Sequence, residues 1–322
     1  MVILGCREKS FASRNLGLII MNQSPEKSPT PLAPHRPLEA FYSAPSARSR
    51  FVNDLFDATA PDYDWISGVM SLWTDRWYRK QALVRSGLRP GMRLLDVASG
   101  TGLMAEAAVG LGLEPAAVAG IDPSRGMLEQ NRQRNPVALL QGRGENLPFR
   151  SATFDFVCMG YALRHVDDLR KLFGEFRRVL RPGGRLLILE ITRPSSAMGL
   201  RLMQFYMRKL VPLMGRLRNR SVSTEKMLEY YWATIAECVD PAVILAALEE
   251  EGFQDVRRKT VGPLLSEYVA CEREVREPDH IRLSSPDSPP GRGWSFAACI
   301  DLLNLRGVAS ARLAGQVPPS TP

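Results

Sequence analysis

The residues best suited to chemistry lie in LLDVASGTG (94–102), where an apolar run opens into a loop of small side chains. Backbone amides of Ala98, Gly100, Thr101 and Gly102 can approach a ligand there because no bulky side chain intervenes. Asp96, inside the apolar run, is a further binding candidate. Ala98 stands where the common G-x-G-x-G pattern has its first glycine, so the loop taken alone also fits a tight turn. Asp122 follows Gly102 by twenty residues, at the end of a second apolar run. A carboxylate so placed can accept hydrogen bonds from both hydroxyls of a ribose. The spacing suits a nicotinamide dinucleotide equally well, and an aspartate capping a helix from Ser124 would occupy the same place.

A sheet must position these groups. Residues 93–97 (RLLDV), 117–122 (AVAGID), 154–159 (FDFVCM) and 185–191 (RLLILEI) read as buried strands separated by helical patterns. Apolar runs of that kind specify a parallel sheet covered on both faces, an α/β doubly wound, Rossmann-like fold. Ligands in such sheets bind beyond the carboxyl ends of the strands, at the switch point. RPGG (181–184) reads as a turn between the helix before it and a strand starting at Arg185, because proline and paired glycines do not continue a helix.

Between residues 194 and 253 the strand order is interrupted by a helical insert, the natural place for substrate selection. It begins with LRLMQFYMRKLVPLMGRLRNR, in which large apolar residues alternate with Arg201, Arg208, Lys209, Arg216, Arg218 and Arg220. That mixture suits a greasy tunnel, a basic membrane-facing surface, or a core helix with a solvated face. Pro212 argues against one continuous helix.

The 322 residues are 45% apolar and 24% charged, ordinary for a globular protein. No apolar run approaches the roughly 20 residues of a membrane-spanning helix, and 16–21 is too short for a secretory core. A cytoplasmic location, peripheral to a membrane, is expected. Five scattered cysteines show no zinc or dithiol spacing, so reduced structural thiols and no metal site are expected. Pro/Ser-rich composition marks 1–47 and 273–322 as disordered tails around a domain at 48–272. The net charge of +8 is compatible with several anionic partners. No nucleic-acid recognition module is visible, so no nucleic-acid partner is expected.

Beyond the generic fold, residues 51–272 resemble the ubiquinone/menaquinone-biosynthesis C-methyltransferases, which are class I S-adenosylmethionine-dependent enzymes. The segments that carry the likeness are FDATAPDYDWISGVMSLWTDRWYRK, LPFRSATFDFVCMGYALRHVDDLRKLFGEFRRVLRPGGRLLILEITRP and EGFQDV. The resemblance implies that Thr101 and neighbouring amides hold the methionine end of S-adenosylmethionine, that Asp122 binds the ribose, and that Arg143 and Gly144 contact adenine. Gly160 aligns with a small polar residue after the fourth strand. Arg143 stands where that family has a short amide or acid, and Gly160 where serine is common; alanine at the Ala98 position is usual there.

The acceptor implied is a lipophilic quinol or related aromatic. Methyl transfer from a sulfonium is an in-line displacement that needs no metal, so the protein aligns the nucleophile and controls its proton. Candidates for that work are Tyr161, Arg164 and His165, directly after the fourth strand, followed by Tyr63 and Asp64 in the PDYD segment. His165 stands where the family has asparagine. A helix-start histidine bonded to a carbonyl, and aromatic residues merely packing, are the plainer alternatives. STEKMLEYYWATIAECVDPAVILAALEEEGF is longer and more divergent than the family's ending. An O- or N-methyltransferase of another small molecule, or a noncatalytic cofactor-binding subunit, therefore remains as a competing expectation.

Overall fold

Strands that are apolar on both faces need helices above and below them. The computed structural model, which describes residues 30–194, 196–211, 222–262 and 264–273, has that form. Three helices precede the sheet: α1 (Arg48–Thr59), α2 (Tyr63–Met70) and α3 (Asp75–Arg85). The alternating part then runs β1 (Leu94–Val97), α4 (Leu103–Val109), β2 (Val118–Asp122), α5 (Arg125–Arg134), β3 (Ala138–Gln141), β4 (Phe154–Gly160), α6 (Leu169–Val179) and β5 (Leu180–Ile191). The insert contributes α7 (Ala197–Phe205), continued by a π-helical turn over Tyr206–Leu210, then α8 (Val222–Glu237) and α9 (Pro241–Glu250). β6 (Gln254–Val261) and β7 (Leu265–Cys271) finish the sheet.

The seven strands lie in the order β3-β2-β1-β4-β5-β7-β6, and β7 runs antiparallel to both its neighbours. The chain winds outward from β1 to β3 and then returns to β4 beside β1, so the switch point falls between these two strands. Val97 pairs with Met159 at that place. α6 shows why the helices cover the sheet: Leu169, Leu172, Phe173, Phe176 and Val179 recur at helical spacing and are buried. They join β1, β4 and β5 in one core on that face, while Tyr78, Ala82, Leu83 and the alanines of α4 build a second core on the other. A third cluster, around Val52, Leu55, Met203, Met207, Tyr230 and Tyr231, joins α1 to the insert.

Two expectations need correction. RPGG is not a turn that separates helix from strand: β5 begins at Leu180, which pairs with Phe154, and pairing resumes with Arg185 opposite Phe156. The intervening residues form a bulge, with Gly183 at φ +76°, whose amide donates to the Glu272 carbonyl. Nor are residues 30–47 a disordered tail. Leu32 accepts from the Leu169 amide and donates its own amide to Asp168, the Val239 amide donates to the Pro34 carbonyl, and His35 and Tyr42 are buried. These long-range contacts give a Pro-rich segment a fixed course that composition alone cannot reveal. Residues 1–29 and 274–322, with Pro212, Arg216, Arg218 and Arg220, lie outside the described residues. No helix among the described residues is long and apolar enough to cross a membrane.

Candidate functional site

At the end of β1 the chain enters left-handed backbone: φ is +53° at Ala98, +53° at Gly100 and +87° at Gly102. The consequence is a loop held by its own amides: Ser99 donates to the Ile121 carbonyl, Gly102 to the Ser99 carbonyl and Gly100 to Asp122. A Cβ on Gly100 would meet nothing within 4 Å, so the space over it is open to a ligand. At Gly102 a Cβ would strike the Asn131 amide, which makes that glycine a packing requirement.

Asp122 ends β2 beside this loop. Its Oδ2 accepts from the Gly100 amide at 2.8 Å and its Oδ1 from the Ser124 amide at 2.8 Å. The cap of α5 is Ser124 itself, whose Oγ accepts from the Met127 amide, so Asp122 is left to organise the loop. Each carboxylate oxygen keeps a further lone pair for an incoming hydroxyl. Burial pushes the carboxyl up to about 6, opposed by the two amides and reinforced by Asp57.

One cleft is lined by Tyr63, Ala98, Gly100, Asp122, Arg143, Gly144, Gly160, Tyr161 and His165. Asp64, Asp96, Thr101, Gly102 and Arg164 do not line it. Asp64 instead fastens α2 to the loop: its Oδ1 accepts from Thr101 Oγ1 at 2.6 Å, and it pairs with Arg134, which also donates to the Thr101 carbonyl at 2.6 Å. Asp96 is buried in β1, and its Oδ2 has no hydrogen-bond partner among the described residues. Burial pushes it up to about 7, against the pull of Arg79 and with a contribution from Asp122.

Arg143 donates to Asp167 at 2.5 Å and to Glu145 at 3.2 Å, so its guanidinium forms a wall of the cleft. Gly144 is required by packing, since a Cβ there would lie 2.5 Å from Leu172 and 2.9 Å from Val97. Gly160 has a different cause. A Cβ there would strike Nη1 of Arg79, a buried side chain whose Nε donates to Asp75 at 2.9 Å and whose guanidinium lies 4.8 Å from the Tyr161 ring centroid. Arg79 escaped the sequence reading, although it falls in the aromatic segment WYRK, four residues after Asp75 on one helix face. Gly160→Ser is therefore expected to cost about 1–3 kcal/mol through overpacking, seen as a lowered melting temperature; an unchanged melting temperature would refute this packing account.

Directly after β4, Arg164 and His165 point to different places. Arg164 is fully buried: it pairs with Glu190, donates to Thr234 at 3.2 Å and to the Tyr161 carbonyl at 3.0 Å, and lies 5.0 Å from the Tyr231 ring centroid. Burial opposes its charge and Glu190 outweighs that. His165 sits on the cleft among Phe56, Tyr230 and Tyr231, with centroid distances of 5.2, 5.4 and 5.8 Å. Its Nδ1 is 3.3 Å from the Tyr230 hydroxyl, and its buried Nε2 has no hydrogen-bond partner among the described residues. Burial first, then Arg164, Arg48 and His35, hold the imidazole well below its ordinary value. The Tyr63 phenol is pushed up by burial and hydrogen-bonds Tyr231. Tyr230 and Tyr231 also escaped the sequence reading, where the YYW run in α8 gave no sign of which strand end it would face.

Among the described residues no group of three or more His, Cys, Asp or Glu side chains is placed to hold a metal ion. The open space over Gly100, the Asp122 carboxylate with lone pairs to spare and the cleft past Gly144 fit an adenosine-bearing cofactor.

Comparisons with known proteins agree with that fit. A family model described as the ubiE/COQ5 methyltransferase family matches residues 44–265. A demethylmenaquinone methyltransferase of Mycobacterium sp. (strain KMS) is 34% identical over 222 residues, 69% of this chain and 94% of that protein. The ubiquinone/menaquinone biosynthesis C-methyltransferase UbiE of Desulfotalea psychrophila is 34% identical over 216 residues, 65% of this chain and 84% of that protein. Among solved structures, a methyltransferase in complex with the Haloferax volcanii Trm112 methyltransferase activator matches with a TM-score of 0.50 at 17% identity, covering 68% of this chain and 98% of that one. That last likeness speaks for the fold.

Proposed function

The chain belongs to the ubiE/COQ5 methyltransferase family and uses S-adenosylmethionine, and we propose that it methylates a ring carbon of a prenylated quinol or a closely related aromatic. The observation that carries this reading is His165: a neutral imidazole with an unpartnered nitrogen, set among aromatic rings on the cleft that also holds Asp122.

When bound, S-adenosylmethionine supplies an electrophilic methyl group on a sulfonium. The residues of the chain do the rest. Asp122 would accept from the ribose hydroxyls, Arg143 and Gly144 would flank the adenine, and the Ala98 to Gly102 loop with Gly160 would receive the methionine end. Asp64, through Thr101, is a positioning residue for that loop. Nε2 of His165 accepts a hydrogen bond from an acceptor hydroxyl. Its depressed pKa keeps the imidazole neutral at neutral pH, with Nε2 free to take the hydroxyl proton as the ring carbon attacks; the proton on the methylated ring carbon then leaves to solvent and restores the aromatic ring. Tyr63, with its phenol held protonated by burial, donates rather than accepts there. Arg164 lies behind this pair and acts through the backbone of Tyr161.

Replacing His165 with alanine is expected to slow single-turnover methyl transfer by about 10²-fold, within the range of general-base contributions, with cofactor affinity nearly unchanged by calorimetry. An unaltered rate removes His165 from the mechanism. The reading as a whole is tested by offering labelled S-adenosylmethionine with a panel of demethylated quinols and simple phenols and mapping the product. A carbon-linked methyl on a quinol is expected; an oxygen- or nitrogen-linked product would replace this reading by one of the competing activities. A prenylated acceptor is a membrane lipid, so the expected place of work is the cytoplasmic side of a membrane surface.

A further inference from the structure

α7 has two unlike faces. Met203 and Met207 point inward to the cluster shared with α1 and α8, and both are buried. Met198, Leu202 and Phe205, spaced four and three residues apart and so on one face, are 73%, 67% and 59% exposed. A second set of bare apolar side chains lies just after α2, where Leu72 and Trp73 are 65% and 62% exposed. The elements that carry the two sets are tied together, because the Tyr206 hydroxyl donates to the Val69 carbonyl at 2.7 Å and Met70 and Tyr206 pack against the same buried cluster. Large apolar side chains gathered like this on a surface mark an interaction site.

Charge selects the partner. Residues 191–224 contain seven arginines or lysines and no aspartate or glutamate, nearly the whole net charge of +8. Arg201, Arg208 and Lys209 are exposed on the same helical stretch as the bare apolar face. A second copy docking face to face would set these cations against their own kind. A nucleic acid would leave the leucine, methionine and phenylalanine side chains unmatched. Anionic phospholipid satisfies both, since aliphatic and tryptophan side chains enter the headgroup boundary while arginine and lysine meet the phosphates.

We propose that the outer face of α7 and the Leu72–Trp73 turn form a docking surface for an anionic lipid bilayer. The purpose of the docking rests on the reading of a prenylated acceptor. The cluster under α7 also contains Val52, Phe56 and Tyr63, which line the cleft, so apolar side chains run from the docked face to the place of transfer.

The test uses the full chain and vesicles of phosphatidylcholine with or without phosphatidylglycerol. Sedimentation with the phosphatidylglycerol vesicles at low salt is expected, with release at high salt. The double variant Leu202→Glu, Phe205→Glu should partition at least about tenfold more weakly, a loss of roughly 1.4 kcal/mol, and Trp73→Ser should weaken partition as well. Transfer to a tail-less acceptor should not change in either variant. No sedimentation of the unaltered chain at low salt overturns the proposal, as does partition that neither variant weakens. A concentration-dependent dimer abolished by the same substitutions also overturns it, in favour of self-association. Vesicle partition that persists when no quinol is methylated leaves the docking surface standing and removes the quinol reading.

Discussion

Replacing Asp122 with alanine should weaken S-adenosylmethionine binding by at least about a hundredfold, because the proposed ribose role puts two hydrogen bonds on a charged acceptor, each worth roughly 1.5–3 kcal/mol. The loss goes further than the ribose contacts. Without the carboxylate the Gly100 and Ser124 amides lose their acceptor, and the loop they hold is free to leave its left-handed course. Calorimetric titration of the variant measures this, and an affinity within about threefold of the unaltered chain would exclude Asp122 from the ribose site.

The pH dependence gives an independent reading of the same group. With its pKa near 6, Asp122 is ionised at pH 7 and protonated by pH 5, where it loses acceptor capacity. Cofactor affinity should therefore be level above about pH 7 and fall below pH 6. Asp122→Asn should flatten that part of the profile, while any step from Asp96, raised to about 7, remains. Stability moves in the opposite sense. A carboxyl whose folded pKa is raised above its unfolded value favours the fold when protonated, and that contribution is lost as pH rises through about 6. Acid thus weakens binding without this carboxyl weakening the fold.

Replacing Arg164 with methionine should cost about 3–5 kcal/mol of stability, the usual consequence of leaving one partner of a buried ion pair behind. Glu190 would be that partner, fully buried and already donated to by the Arg164 amide. The double variant Arg164→Met, Glu190→Met should recover much of the loss. Chemical denaturation with coincident probes decides it. If Arg164→Met instead keeps its stability and loses turnover, Arg164 touches the reacting atoms and the assignment to positioning fails.

How far the sequence could carry these conclusions depends on the range of the interactions involved. The loop after β1 and Asp122 were legible because their chemistry is local: small residues force the turn, and the spacing to the next strand end follows from one helical crossover. β1, β2, β4 and most of β5 were legible as apolar runs. β3 and β7 were not, since Ala138–Gln141 is short and only half-buried, and Leu265–Cys271 carries Glu267 inward, where it pairs with Arg85 from a distant helix. Arg164 and His165 show the limit most clearly. Adjacent residues after one strand, equally suited to proton chemistry, were separated by β5 and α8: Glu190 of β5 and Thr234 of α8 draw Arg164 inward, while Tyr230 and Tyr231 of α8 stack His165 against the cleft. Arg79 was hidden for the same reason, because its contact with Gly160 joins two elements that sequence order keeps far apart.

The position of β7 has a bearing on how the molecule is made. Among the described residues it is the last strand to leave the ribosome and yet an interior one, lying between β5 and β6. A nascent chain that ends anywhere before Leu265 presents β5 with an open edge and β6 with no partner at all. Such edges are templates for pairing with other chains. Vectorial synthesis therefore holds this sheet unfinished until its final turn of work, and premature termination yields a sticky product for chaperones and proteases rather than a shortened enzyme.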